Sequence, residues 1–553
     1  MRVKRIAALT LAGILAAALA ACGSGNSSAG GNPSAVLNIG APNGPQPENH
    51  NPFLETSAAG SLGYRWMIYE PLVMRNKARP TDPGKAWLAG KWDWADNYTK
   101  LTITVRDNVK FSDGKPMTAQ DVAFSLGLLK KHPAFNLHAI PYGEITPSGN
   151  TVTVTFPRSQ FTNQLMILEA AVVPKHIWEQ VKDPAQELNK NPVGTGPYTL
   201  KSFTQQTVTL TARESYWQEL PKVKELRYTS YNDNNAQTTA LAAGASEWAF
   251  VFIPNYQAVY TSKNPRHHKL WFPASLGVHG LWFNTEKAPY DNAALRKAIN
   301  LVINREDIFT QAEAGYFYPK IDNVTGIPTP GGEAFIAPQY QGKTLTPDVE
   351  EAKRMLTAAG FRYEGSALVD PAGKPVKLAM SVPSGWSDYV TTLEIIKDNV
   401  AGLGITATVD KTNQDAWTEA VEAGNFEAVL HWTEDGPTPY QAYRYMMDGE
   451  LYKPLGTGQT IGNYGRFRNE EATAALRQYA NATDEAGRTT ALHDLQRIMI
   501  EQQPVAVTGA ANVGGMYSTK NWVGWPDDGN PYAPAQPSLR TSLDVVLHLK
   551  PAS

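Results

Sequence analysis

Cysteine is almost absent. One residue in 553, Cys22, carries a thiol, so no disulfide can close within the chain. An excess of charge of either sign is missing as well. Lys and Arg number 50 against 52 Asp and Glu, interspersed, for a formal net charge of −2. The basic footprint of a nucleic-acid binder is therefore lacking. After the N-terminal segment no apolar run reaches the about 18 residues a membrane-spanning helix needs. Three catalytic or metal signatures, H-E-x-x-H, the EF-hand loop and G-x-S-x-G, do not occur. What the chain has in quantity is aromatic: 14 Trp and 24 Tyr, in a sequence that is 42% hydrophobic. Such a chain can bury large cores, and its length suggests two or more lobes. Trp and Tyr also suit pockets with one apolar and one polar side.

The single cysteine is informative by its position. Arg2, Lys4 and Arg5 precede an apolar stretch, Ile6 to Ala18, too short to be a permanent span. Leu19-Ala20-Ala21-Cys22 then resembles the lipobox of bacterial lipoproteins. That resemblance implies cleavage before Cys22 and a lipid on its sulfur, leaving the mature chain without a thiol. An ordinary signal peptide with an incidental cysteine is the plainer reading. Against it, a flexible Gly/Ser tether (23–34) follows directly. Residues 1–21 are read as signal and 22–35 as lipidated residue plus tether, which puts the protein at the outer face of the cell membrane.

The first third is β-rich. Trp92-Asp93-Trp94, the turn residues Asp96-Asn97 and the alternating run from Leu101 to Val105 predict a hairpin, and the run from Thr151 to Phe156 another strand. Thr118 with Asp121 three residues on predicts a capped helix to about Lys131. The later part alternates. Helices are predicted from an Asp291 cap, and from a Thr346-Pro347 start to a stop at Gly360. Strand 376–382, helix 387–401, strand 405–409, helix 414–423 and strand 426–432 then make a β-α-β-α-β unit with a mostly parallel sheet. Trp432 to Pro439 leaves the carboxyl end of the last strand, where ligands collect in open α/β sheets.

Several segments in order resemble the family 5 solute-binding proteins of ABC importers. They include Asn51-Pro52-Phe53, Tyr69-Glu70-Pro71-Leu72, Leu101 to Ser125, Val172 to Ile177, Pro192 to Tyr198, Tyr216-Trp217, Asn284-Thr285 and Asp291 to Arg305. The resemblance implies an α/β, two-lobe periplasmic-binding-protein-like clamp (type II, cluster C) with an extra subdomain in lobe I. Lobe I would comprise residues 36–76, 191–285 and 515–553, the inserted subdomain 77–190, and lobe II 286–514. It further implies a monomeric, cofactor-free receptor that closes on a small oligomeric solute, sugar or peptide, and presents it to a permease with its ATPase.

Competing chemistry is weaker. Ser112-Asp113-Gly114-Lys115 fits S-x-x-K, but that chemistry needs a helix and Asp-Gly followed by Pro116 is a turn. Gly194-Thr195-Gly196 precedes a predicted strand, so it lacks the helix N-terminus of a phosphate loop. His267 and His268 are sequence neighbours and do not converge on one metal. Glu434 and Asp435 are adjacent, and adjacent side chains of an extended stretch point opposite ways, unlike a glycosidase pair facing one bond. An exported hydrolase is thus the lesser alternative.

For the ligand, the resemblance implies more. In peptide receptors of this family the Asp of W-x-x-D pairs with the ligand ammonium, and Trp432-Thr433-Glu434-Asp435 keeps that pattern. Gly436-Pro437-Thr438-Pro439-Tyr440, Trp522 to Pro526 and Asn530-Pro531-Tyr532 look more like the members assigned to oligosaccharides such as cellobiose. The candidate lining residues are Trp432, Asp435, Glu434, Tyr440, Trp282, Trp386, Asn463 and Trp525. Sugar is favoured over peptide, and neither catalysis nor metal binding is expected.

Overall fold

The computed structural model describes residues 35–457 and 460–552; the signal, Cys22 and most of the tether lie outside them. Among the described residues, three large sheets organise the chain. The first has seven strands, in the order His268–Trp271, Gly515–Ser518, Trp248–Ala249, Val36–Ala41, Glu225–Ser230, Thr207–Ala212, Tyr198–Phe203. The second has five: Thr406–Thr412, Lys377–Pro383, Ala428–Trp432, Ala274–Phe283, Val505–Asn512. The third is a four-stranded antiparallel sheet of Ala89–Ala95, Lys100–Val105, Thr151–Thr155 and Ile145–Ser148. The first and second sheets are the centres of two lobes, and the third belongs to a subdomain on the first. No helix among the described residues is long and apolar enough to cross a membrane.

Local chemistry accounts for the elements. The hairpin 89–105 turns through Asp96, Asn97 and Tyr98, all at positive φ, a conformation Asn and Asp tolerate better than most residues. Thr118 and Asp121 form a reciprocal capping box on the helix Ala119–Lys131. The β-α-β-α-β unit is present. Lys377–Pro383 pairs in parallel with Thr406–Thr412 on one side and with Ala428–Trp432 on the other. Its helices are Ser387–Ala401 and Gln414–Ala423; the second is capped by Asn413 and stopped by Gly424 in the left-handed region.

Three expectations shift. The helix expected from Asp291 is capped one residue later: the Asn292 side chain accepts from the Ala294 N–H, opening Ala293–Val302. Asp348, not Thr346, caps the next helix, Val349–Ala358, because its carboxylate accepts from the Glu351 N–H. The strand Ala274–Phe283, which the sequence reading keeps in lobe I, pairs inside the second sheet. Its run is buried on both faces, and a strand buried on both faces belongs in a sheet centre. The chain therefore crosses between lobes near Phe272–Pro273, ahead of residue 285, and returns near Val513–Gly514. At that return the backbone touches the outgoing segment, and a side chain on Gly514 would meet the Phe272 Cα at 2.3 Å.

Candidate ligand-binding cleft

Between the lobes lies a cavity of about 520 Å³. Its first-lobe wall is made by Ile39–Asn43, Asn232–Asn234, Phe250–Phe252 and Gln536–Ser538, with Ser61 and Leu62. The second lobe contributes His279, Phe317, Tyr318, Pro383–Trp386, Asp388, Tyr389, Gln414, Trp432, Ala511 and Asn512. Many of these stand where strands end: Gly40 and Ala41 close Val36–Ala41, Pro383 closes Lys377–Pro383, and Trp432 closes Ala428–Trp432. Strand ends are where an α/β sheet leaves backbone and side chains free for a ligand.

One wall is aromatic. Trp432 is 37% exposed, unusual for a Trp in a chain with so much buried aromatic surface. Its ring stacks on His431 at 4.1 Å and 16° and lies near Trp417 and Trp386, at 6.2 and 6.1 Å. Trp386 sits at the N-cap of Ser387–Ala401, edge-on to Tyr389 and Trp417. Behind them, burial holds both imidazoles neutral. His279 is brought down to about 3, with the His431 charge adding to the burial effect, and His431 to about 4. The Trp432 backbone N–H donates to His431 Nδ1 at 2.8 Å, and His279 Nδ1 lies 2.6 Å from the Tyr389 hydroxyl. The wall is thus an uncharged stack, with Trp432 as its exposed member on the cavity.

The rest of the lining is polar but sparing in charge. Asn43, Asn232, Asn234, Ser384, Gln414 and Gln536 offer amides and a hydroxyl, whereas the buried Asn512 amide is engaged with the Phe317 carbonyl and the Gly514 N–H. Among the described lining residues there is no Lys or Arg, and the charged side chains are Asp233 and Asp388. Asp233 is occupied as the N-cap of Asn234–Ala243. Asp388 is buried, and desolvation lifts its carboxyl to about 6 although its own and the Tyr389 backbone N–H partly oppose the rise.

The two carboxylates that the sequence reading singles out sit elsewhere. Asp435 is buried and bound to two cations of the first lobe, Lys77 Nζ at 2.9 Å and Arg75 Nη2 at 3.3 Å. Burial would raise its carboxyl, but the Lys77 and Arg75 charges outweigh it and bring it to about 2. Arg75 is shared with Glu169 at 3.4 Å, so the group is a buried ion network joining the lobes. Glu434 is half-buried and forms no ion pair among the described residues. The expectation that Asp435 meets a ligand ammonium therefore conflicts with its geometry: its charge is already compensated, and it is not on the cavity wall.

Four other candidates are framework. Trp282 is 1% exposed and donates to the His431 carbonyl at 3.2 Å. Tyr440 stacks on Tyr479 at 4.8 Å, and Asn463 donates to the Asp448 and Phe467 carbonyls at 3.0 and 2.7 Å. Trp525 stacks on Tyr517 at 4.9 Å in the first lobe. Trp432 and Trp386 are the two of the eight that reach the cavity. Sequence reasoning missed His279, Tyr318, Asp388 and Tyr389. Asp388 reads as an ordinary first-turn acid of a helix, and the other three as core.

Comparison with known proteins agrees with this architecture. A model of the bacterial extracellular solute-binding proteins, family 5, matches residues 85–452, about two thirds of the chain. The chain belongs to that family. Glutathione-binding protein GsiB of Salmonella typhi is 28% identical over 428 residues, 75% of this chain and 78% of the relative. GsiB of Shigella flexneri serotype 5b is 26% identical over 429 residues, covering 75% and 79%. Among solved structures, the periplasmic oligopeptide-binding protein of Thermotoga maritima bound to mannohexaose superposes with a TM-score of 0.80. Its identity is 24%, and 93% of this chain and 98% of that one are covered. The oligopeptide-binding protein AppA of Bacillus subtilis, in complex with a nonapeptide, gives 0.75 at 18% identity, covering 94% and 99%. At these identities the structures carry the fold, the two-lobe clamp. The protein is an extracytoplasmic solute-binding receptor of an ABC transporter.

Proposed function

We propose that this receptor captures an oligosaccharide between its lobes and delivers it unchanged to a membrane permease, held at the outer membrane face as a monomer by lipid on Cys22. The observation that carries the ligand class is the cavity wall. An exposed Trp432 beside Trp386 suits the apolar face of a sugar ring. The surrounding amides and hydroxyls suit its hydroxyl groups. A short peptide would also bring a carboxylate, and the described lining holds no Lys or Arg to receive one. The mannohexaose in the Thermotoga relative is in keeping with this reading. The nonapeptide in AppA keeps the peptide alternative in the same fold.

A thermal-shift panel of cello-, xylo- and chito-oligosaccharides against di- to pentapeptides tests the class. A ligand that binds only the folded protein raises the melting temperature by mass action. A hit among the sugars is expected; shifts from peptides alone would overturn the reading. Chromatography of the recovered ligand separates receptor from hydrolase, since turnover would contradict a receptor. For the anchor, a Cys22→Ala variant should leave the membrane fraction and appear in the soluble fraction of the same cells. Retention of that variant on membranes would contradict lipidation.

A further inference from the structure

We infer that Asp388 sets the specificity of this cavity by receiving an ammonium group of the ligand. The inference rests on reading the interlobe cavity as the ligand site. Asp388 lies in the first turn of Ser387–Ala401, where a carboxylate ordinarily stands in water near the helix N-terminus. Here it is 6% exposed, and it stands among the residues that line the cavity. No ion pair with Lys, Arg or His reaches it among the described residues.

A second carboxyl stands behind it. Glu313 is 4% exposed; its Oε1 accepts from Thr392 Oγ1 at 3.4 Å, and its Oε2 has no hydrogen-bond partner. Glu313 lines a small hollow that shares His279, Tyr318 and Tyr389 with the main cavity. Burial and the Asp388 charge raise its carboxyl well above the usual range. The local groups therefore comprise two acids, two phenols and an imidazole that burial keeps neutral. An uncompensated buried carboxylate is costly, and a charge-assisted hydrogen bond from a ligand cation removes that cost. An anion in the same place would meet the Asp388 charge, with no Lys or Arg on the described lining to offset it. Asp435, already held by Arg75 and Lys77, offers no such vacancy.

An ammonium group comes from two kinds of oligomer, an amino sugar or the N-terminus of a peptide. Calorimetric titration of the full chain separates them with two matched series. One sets β-1,4-linked glucosamine oligomers against their N-acetyl and cello counterparts. The other sets peptides with a free N-terminus against the same peptides acetylated. The aminated member of at least one series should bind about tenfold tighter or more than its neutral counterpart, the scale of one charge-assisted bond. In Asp388→Asn that ratio should fall to near one, and in Asp388→Glu most of it should return. Neutral oligosaccharides binding as tightly as aminated ones would overturn the inference and leave the proposed function standing. A preference that survives in Asp388→Asn would also overturn it. Binding by no member of either series would overturn both. Should the Asn variant fail to fold, the wild-type ratios decide alone.

Discussion

At the scale of residues, a ring, an ion network and two imidazoles carry testable weight. Trp432 lines the cavity, and its backbone is held by the pairing of Ala428–Trp432 with the strand Ala274–Phe283. Trp432→Ala should weaken ligand binding about tenfold, the range of a lost aromatic contact plus its buried area. The melting temperature of the free protein should fall as well, because the ring is 37% exposed and the rest of it packs on His431 and beside Trp386 and Trp417, so affinity is compared on the folded variant. Asp435 should behave differently. Removing one partner of a buried ion pair leaves the others uncompensated, and Asp435→Asn should cost about 3 kcal/mol in chemical denaturation. Its effect on sugar and peptide affinity should be alike, since its charge is already spent on Lys77 and Arg75. Its pH signature follows from the depressed carboxyl. Above the ordinary value of 3.8 the folded-state pairing contributes its full stability, and this is lost as pH falls through about 2. The variant should flatten that acid limb. His279 and His431, brought down to about 3 and about 4 by burial, add an earlier loss. Below 6.5 the unfolded chain takes protons that the folded imidazoles refuse, so stability should decline from there. Their ring resonances should stay flat to pH 5.

At the scale of elements, the second lobe was the most legible part. The helices 387–401 and 414–423 appear with their expected bounds, because periodicity, an Asn cap and Gly stops all point the same way there. Where several side chains could cap, tertiary context chose: Asn292 over Asp291, and Asp348 over Thr346. The strand Ala274–Phe283 was harder to place, because a run buried on both faces carries no alternation to say which sheet holds it. The site was legible only where an element's end fixes it. Trp432 is placed by its position at a strand end, whereas Trp386 stands among the candidates by residue type alone. Tyr440, Asn463 and Trp525 looked equally suitable in composition but face the interior of their lobes, which residue type alone does not reveal. Asp435 was found by its motif, yet its partners, Arg75 and Lys77, lie about 360 residues away in the chain. No sequence spacing announces such a pairing. One element-level prediction concerns the crossover. Gly514 packs against the Phe272 backbone, so Gly514→Ala should destabilise the protein by about 1–3 kcal/mol through overpacking and alter the closure of the lobes.

At the scale of the whole molecule, the two sheets meet across a cavity whose walls come from both lobes, which suits a clamp that closes on its cargo. Phe161 of the subdomain lies under Arg488 at 3.6 Å, and Gln441 donates to the Thr162 carbonyl at 2.9 Å. With the Arg75–Asp435 pair, these contacts tie the subdomain side of the first lobe to the second. The lobes thus touch away from the cavity, leaving the cavity itself lined by rings, amides and two acids. The central claim is that an oligosaccharide is enclosed there against Trp432. Calorimetric titration with a graded set of β-linked oligosaccharides, run on the wild type and on Trp432→Ala, tests it most directly. One site per chain is expected, with intact sugar recovered afterwards and affinity about tenfold weaker in the variant. Heat from peptides but from no sugar, or sugar binding untouched by the loss of Trp432, would contradict it.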